Sequence, residues 1–251
     1  MFTASLVVPC YNEEIRFNPQ LFGKFLREHP MISCLFVNDG STDGTEAILE
    51  GFCQNRFNAS YINMATNGGK AEAVRMGMLH VLATEARYVG YWDADLATPL
   101  DEVLNFLDVL AKKPEIELVT GARVQLLGRD IQRRKIRHYA GRIFATVTSM
   151  MLEIPMYDTQ CGAKLFKVSK DLTQIFSTRF RSRWIFDVEI LVRMGASINQ
   201  VYELPLQSWR DVGESKVTAF DFVKAMYELV LIYRKKKKLH SYRKDPHSDS
   251  P

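Results

Sequence analysis

The sequence predicts an α/β fold with one mostly parallel sheet and helices on both faces. Three observations carry this. Short apolar runs alternate with helix-spaced segments over the first hundred residues. Each apolar run stops in a loop of small and polar residues. The chain is 251 residues long and 47% hydrophobic, enough for one large α/β domain with a sizeable core.

The elements follow in order. Ser5-Leu6-Val7-Val8-Pro9 reads as a short buried strand stopped by Pro9, and the loop Cys10-Tyr11-Asn12-Glu13-Glu14 leads to a helix over Pro19 to Glu28. A second strand, Ile32 to Val37, ends in the turn-forming stretch Asn38-Asp39-Gly40-Ser41-Thr42-Asp43-Gly44-Thr45. That stretch carries an N-cap signal for a helix over Glu46 to Asn55. A third strand spans Ala59 to Met64, and Thr66-Asn67-Gly68-Gly69-Lys70 opens a helix over Ala71 to Thr84. The fourth strand, Tyr88-Val89-Gly90-Tyr91-Trp92, runs into Asp93-Ala94-Asp95. In an open parallel sheet these loops share the carboxyl edge, where such folds bind ligands.

Candidate chemistry concentrates on that edge. If the fourth strand ends near Asp93, both acids sit at its carboxyl edge; along a continuing strand, alternation would point Asp93 and Asp95 to one side. Two hard oxygen ligands suit Mg²⁺ or Mn²⁺ carrying substrate phosphates, since such ions keep several waters and take few protein ligands. By itself the triplet reads first as a solvated turn, and its context must decide. Asp39 can accept hydrogen bonds from a ribose or base, Gly40 permits close backbone approach, and Lys70 at a helix start can meet a phosphate. No loop forms a Walker A motif or a G-x-G-x-x-G, which argues against a dinucleotide dehydrogenase.

Composition bounds the setting. Net charge is +4, with basic blocks at Arg129 to Arg142 and Arg234 to Lys238. Such blocks suit phosphate ligands or an anionic membrane surface and are expected to serve these rather than nucleic acid. Cys10, Cys34, Cys53 and Cys161 lack metal-ligand spacing; Cys10 and Cys34 read as small core residues, which points to a reducing compartment. Met1 leads almost at once into a strand and no run reaches 18 apolar residues, so neither a secretory leader nor a membrane span is expected. These features predict a cytoplasmic protein that attaches reversibly, if at all, to a membrane's cytoplasmic face. Oligomeric state is not legible.

Val8-Pro9-Cys10-Tyr11-Asn12-Glu13, Asn38-Asp39-Gly40-Ser41-Thr42-Asp43, Asn67-Gly68-Gly69-Lys70 and Asp93-Ala94-Asp95 occur in this order. The set resembles family 2 glycosyltransferases of the Rossmann-like GT-A fold, nearest to their dolichyl-phosphate glucosyltransferase and polyprenyl-phosphate hexosyltransferase branch. The resemblance implies inverting, metal-dependent transfer of a hexose from a nucleotide sugar to a polyprenyl (dolichyl) phosphate. UDP-glucose is the favoured donor and GDP-mannose the alternative. Pro9, Tyr11, Glu13, Asp39, Lys70 and Asp93 would bind the nucleotide sugar. Asp93 and Asp95 would hold the metal and diphosphate, with Asp95 counted among the catalytic groups.

The likeness continues to about residue 218. Leu118 to Arg123 reads as a strand ending in an arginine, and a helix begins at Arg133-Arg134-Lys135-Ile136-Arg137 and runs towards Leu152. The resemblance places Arg123, Arg134 and Arg137 near the acceptor phosphate, with Arg133 an alternative. Asp158-Thr159-Gln160-Cys161-Gly162-Ala163-Lys164 matches a second family segment and implies Asp158 as the acceptor-side catalytic acid, a base for an alcohol or an orienting group for a phosphate. Arg183-Trp184-Ile185-Phe186-Asp187-Val188-Glu189 matches a third, in which Asp187 or Glu189 would help shape the site. Gly213-Glu214-Ser215-Lys216 is similar to the family's Gly-Ser-Lys loop with one extra residue, Glu214.

The domain reading is 1–218 catalytic, 219–240 an amphipathic helix with a basic segment, and 241–251 a disordered tail. The apolar stripe Phe222, Val223, Met226, Leu229, Val230, Tyr233 fits either a membrane interface or the catalytic domain. The rival functions are transfer to a soluble glycan or protein, and a catalytically silent nucleotide-sugar-binding protein.

Overall fold

The computed structural model describes residues 2–132, 135–212 and 223–234, with the side chains of 135–138 and Ala196 left aside. The first hundred residues alternate as expected: β1 (Ala4–Cys10), α1 (Pro19–Glu28), β2 (Ile32–Asn38), α2 (Thr45–Cys53), β3 (Ala59–Asn63), α3 (Lys70–Leu82) and β4 (Tyr88–Trp92). Then come α4 (Glu102–Lys112), β5 (Leu118–Ala122), β6 (Asp130–Gln132), α5 (Lys135–Leu152), β7 (Ala163–Lys167), α6 (Lys170–Ser177) and α7 (Phe186–Met194). A 3₁₀ turn, Gly195–Gln200, leads to β8 (Val201–Pro205) and β9 (Ser208–Arg210).

Seven strands form one sheet in the order β3-β2-β1-β4-β7-β5-β8, and β6 pairs with β9. All pairings in the large sheet are parallel except those of β7, which runs antiparallel between β4 and β5. The chain winds outward from β1 to β3, then returns to place β4 on the other side of β1. Loops after β1 and β4 therefore diverge at a topological switch point, which opens a crevice.

Both faces of the sheet are buried, which explains why its strands read as continuous apolar runs. Leu6, Val8, Phe36 and Trp92 pack on one face with Phe22 of α1, Phe52 of α2 and Phe106 of α4. Val7, Val37, Val89 and Tyr91 pack on the other with Val74 of α3, Phe144 of α5 and Ile190 of α7. Cys10, Cys34 and Cys161 are buried free thiols, as a core role for the first two required.

Two readings that the sequence left open are decided by the fold. The fourth strand does not continue through Asp95. It ends at Trp92, and Asp93 to Leu96 form a turn in which the Leu96 N–H donates to the Asp93 carbonyl at 3.2 Å, with Leu96 at φ +53°. Trp92 Nε1 donates to the Thr98 carbonyl at 2.8 Å and anchors the exit. The second concerns the C-terminal helix, helical over 223–234. Its stripe is spent on the core: Leu229, Ala225 and Ile232 are buried, and Met226 and Tyr233 pack against them. Ser182 Oγ donates to Glu228 Oε2 at 2.5 Å. Only Val223 and Tyr227 stay largely exposed, so this stripe is not a free membrane-facing surface. Phe222, Lys235 to Lys238 and the tail lie outside the described residues. Among those described, no helix is long and apolar enough to cross a membrane.

Candidate active site

The loops at the carboxyl edge are stitched to one another before any ligand is considered. The Asn12 N–H donates to Ser41 Oγ at 3.0 Å, and Asn12 Oδ1 accepts from the Thr42 N–H at 2.9 Å. The Glu13 N–H donates to Thr45 Oγ1 at 2.7 Å, and Glu14 Oε2 accepts from the Gly44 N–H at 2.9 Å. Neighbouring loops thus tie backbone N–H groups to each other's side chains.

The result is a cleft of about 430 Å³ lined by Pro9, Tyr11, Glu13, Asp39, Lys70, Asp93 and Asp95, together with Cys10, Asn67, Gly69, Ala94 and Arg183. Every residue that the sequence placed on the donor side reaches this one cleft. Arg183 is the residue that sequence reasoning missed there. It arrives from the segment before α7, and its Nη2 donates to Asn67 Oδ1 at 2.8 Å while Nε donates to the Gly68 carbonyl at 3.1 Å. No local pattern brings it to a loop more than a hundred residues earlier.

Asp39 is buried at the end of β2 and already has work inside the protein. Its Oδ1 accepts from the Gly68 N–H at 2.6 Å and its Oδ2 from the Gly69 N–H at 2.9 Å. Burial raises the Asp39 pKa, and these two donors oppose the rise. The close approach at Gly40 is likewise internal. Gly40 sits at φ +61°, and a Cβ there would lie 2.6 Å from the Asn67 nitrogen. Asp39→Ala is therefore expected to weaken UDP binding about tenfold or more, the cost of losing bonds to a charged acceptor. It should also speed hydrogen exchange at Gly68 and Gly69. Unchanged nucleotide affinity by calorimetry would remove Asp39 from the site.

Four carboxyls line the cleft, and three of them, Glu13, Asp93 and Asp95, lie around the Lys70 ammonium. Lys70, the first residue of α3, holds its Nζ 2.5 Å from Asp93 Oδ1. Burial works against the ammonium, but Asp93, Asp187 and Asp95 outweigh it and the Lys70 pKa is raised. Asp95 Oδ1 accepts from the Ala97 N–H at 3.0 Å, an Asx-type turn. Burial and then the Asp93 charge push the Asp95 carboxyl up. Glu13 is 8% exposed; Oε1 accepts from Arg16 at 2.7 Å, whereas Oε2 is buried with no hydrogen-bond partner.

Burial, against Arg16 but with Asp95 and Asp93, raises the Glu13 pKa to about 7. A folded-state pKa above the unfolded value makes the free protein most stable below the unfolded value, and that stability is lost as pH rises through the folded value. Wild type should thus lose stability between the ordinary 4.5 and about 7, by about 3 kcal/mol at most. Glu13→Gln should flatten that slope in urea titrations; an unchanged slope would exclude Glu13 as its source.

The donor set tests well against a divalent cation. Asp93 and Asp95 are hard carboxylates on one turn, Glu13 Oε2 is an orphan beside them, and their mutual repulsion is of the kind a cation relieves. Among the described residues no group of three or more His, Cys, Asp or Glu is placed to hold a metal ion, so Asp93 and Asp95 would supply the protein ligands without Glu13, and substrate phosphates and water would complete the shell.

The acceptor-side residues lie next to this cleft. Arg123, just past β5, grips Asp158 side-on: Nε donates to Oδ2 at 2.6 Å and Nη2 to Oδ1 at 2.8 Å. Burial opposes the guanidinium's charge, yet Asp158 prevails and the Arg123 pKa is raised. Glu203 on β8 accepts the Tyr157 and Asp158 N–H groups, each at 2.7 Å. The loop from Asp158 reaches Gly162, where a Cβ would lie 1.9 Å from Asp93 Oδ2. Asp187 and Glu189 line no part of the cleft. Asp187 accepts from Tyr91 and Lys164, and Glu189 from the Arg181 N–H and Arg193. Arg133, Arg134, Lys216 and the side chain of Arg137 fall outside the described residues.

Comparison with known proteins agrees with this arrangement. Residues 5–173 match the family described as Glycosyl transferase family 2. The dolichyl-phosphate beta-glucosyltransferase of Saccharomyces cerevisiae is 33% identical, over 91% of this chain and 73% of that protein. Its Dictyostelium discoideum namesake is 30% identical, over 86% of this chain and 69% of that protein. The fold is that of glucosyl-3-phosphoglycerate synthase from Mycobacterium tuberculosis, solved in complex with uridine diphosphate, at a TM-score of 0.67 and 16% identity over 93% of this chain and 80% of that one. The match covers β1 to β7, the strands and loops that build the cleft and the Asp158 loop, and the chain belongs to glycosyl transferase family 2.

Proposed function

We propose that this protein transfers glucose from UDP-glucose to a polyprenyl phosphate of the dolichyl type, with inversion at the anomeric carbon. One observation carries the reading: the cleft carboxylates and the Arg123–Asp158 pair adjoin each other across Gly162, so donor and acceptor sites are contiguous. The names of the curated relatives support the sugar and the lipid. The UDP in the M. tuberculosis structure, and the Mn²⁺ in another structure of that synthase, support the donor and the metal by fold alone.

In this reading Pro9, Tyr11 and Asp39 line the nucleoside end, while Lys70 and Arg183 face the diphosphate. Asp93 and Asp95 would hold Mg²⁺ or Mn²⁺, which would neutralise the departing diphosphate. Lys70 now neutralises Asp93 and can turn its ammonium to a phosphate oxygen when the donor enters. The acceptor phosphate is ionised near neutral pH and needs no base. Asp158 therefore serves by fixing Arg123: the side-on pairing through Nε and Nη2 turns Nη1 away from the carboxylate, towards an incoming phosphate. The basic block Arg234 to Lys238 would add reversible attachment to an anionic bilayer, worth up to about 1 kcal/mol per residue.

The test is transfer of labelled glucose from UDP-glucose to dolichyl phosphate with Mn²⁺, run beside GDP-mannose and beside soluble glycan and peptide acceptors. Labelled lipid is the expected product. Transfer to a soluble acceptor with none to the lipid would replace this reading by its rival. Liposome flotation should show salt-sensitive attachment that falls when Lys235 to Lys238 become Ser.

A further inference from the structure

We propose that the buried ion pair Lys164–Asp187 positions the acceptor-side loop against the donor-side turn, setting the distance across which the two substrates meet. The proposal rests on the transfer reading above for its kinetic arm only.

Lys164 lies on β7 opposite Tyr91 of β4 and is 0% exposed. Its Nζ donates to Asp187 Oδ1 and to the Cys161 carbonyl, both at 2.6 Å. The same Asp187 oxygen accepts from the Tyr91 hydroxyl at 2.5 Å. Asp187 stands in the first turn of α7, where the helix dipole favours a carboxylate. One buried group therefore ties together β4 two residues before Asp93, the start of β7, the start of α7, and the loop that carries Asp158.

Stability alone is a poor reason for such a pair. Desolvating an ammonium and a carboxylate costs much of what their attraction returns, and apolar replacements of similar volume often stabilise a protein. The pair supplies direction instead. Three residues before it on the chain, Cys161 offers its carbonyl, and the next residue is Gly162, packed on Asp93 with no room for a Cβ. The far end of the same loop is held by Glu203 through the Tyr157 and Asp158 N–H groups. Arg123 spans the interval, donating to Asp158 and to the Gln160 carbonyl at 3.2 Å. With Glu203 fixing residues 157–158 and Lys164 fixing 161, the loop has one seat on Asp93. Without the ammonium, the 161–162 peptide loses the bond that draws its carbonyl into the core.

The test replaces the charge network by apolar residues in the triple variant Y91F/K164M/D187L and compares it with wild type. We expect stability near that of wild type, UDP affinity within about threefold, and turnover at saturating donor and acceptor lowered about tenfold or more by misplacement. Hydrogen exchange should accelerate at 159–163 and 93–97 and stay unchanged in β1 to β3. Turnover that recovers together with stability, or exchange that changes evenly across the sheet, would overturn the proposal. If the triple variant does not fold, Asp187→Asn decides: it keeps an acceptor oxygen but loses the counter-charge. It should show the same localised exchange and unchanged UDP affinity; wild-type exchange at 159–163 would overturn the proposal. Exchange needs no substrate, so a wild type that fails to glucosylate any polyprenyl phosphate would refute the transfer reading alone.

Discussion

Asp95→Asn is expected to lower metal-dependent glucose transfer by about two to three orders of magnitude, the scale on which losing one group aimed at developing charge is felt. The substitution is nearly silent for the fold. An asparagine Oδ1 can still accept the Ala97 N–H that Asp95 accepts at 3.0 Å, so the turn after β4 keeps its shape. What disappears is one of the two carboxylates proposed to hold the metal, in a cleft where the other, Asp93, is already shared with Lys70. A second signature should accompany the loss. Asp95 is one of the charges that raise the Glu13 carboxyl, so the upper limit of the stability slope assigned to Glu13 should move to lower pH in the variant. Full turnover in Asp95→Asn, or full wild-type turnover in excess chelator, would end the metal assignment.

Arg123→Ala is expected to reduce kcat/KM for the lipid phosphate about a hundredfold, the loss of roughly 3 kcal/mol that a buried charge-assisted contact commands. UDP affinity should not change, because Arg123 lines no part of the donor cleft. The variant should also be less stable, by up to about 3 kcal/mol, since truncation removes the two-point guanidinium pairing from an Asp158 carboxylate whose side chain is only 8% exposed. Arg123→Lys separates the two effects: the charge beside Asp158 remains, but the planar fork on two carboxylate oxygens is lost. It should recover stability more than it recovers acceptor kinetics. Equal loss of UDP binding and acceptor turnover would show that Arg123 maintains the fold and does not select a phosphate.

Most of the cleft was legible in the sequence because its contributors other than Arg183 follow the early strands. Parallel strands in one sheet bring such positions to one edge whatever lies between them. Pro9 and Tyr11 after β1, Asp39 after β2, Lys70 after β3, and Asp93 with Asp95 after β4 needed only strand order to meet. Arg183 and Glu203 were illegible for the opposite reason. They reach the site through contacts with segments far away in the chain, and a single charge beside or within an apolar segment does not say which distant group it meets.

The apolar stripe of the C-terminal helix shows the same limit. Spacing established that one face is apolar; whether that face meets lipid or protein depended on the core surface offered to Leu229 and Ile232. By itself the sequence determined the α/β alternation, the end of each early strand, and which acids stand at the sheet edge, because periodicity and turn chemistry are local. Only the tertiary structure decided the antiparallel insertion of β7, the capture of Asp158 by Arg123, and the burial of Lys164 on Asp187. Those are pairings between distant segments, chosen by which charges find a partner once water is excluded, and no spacing along the chain encodes them.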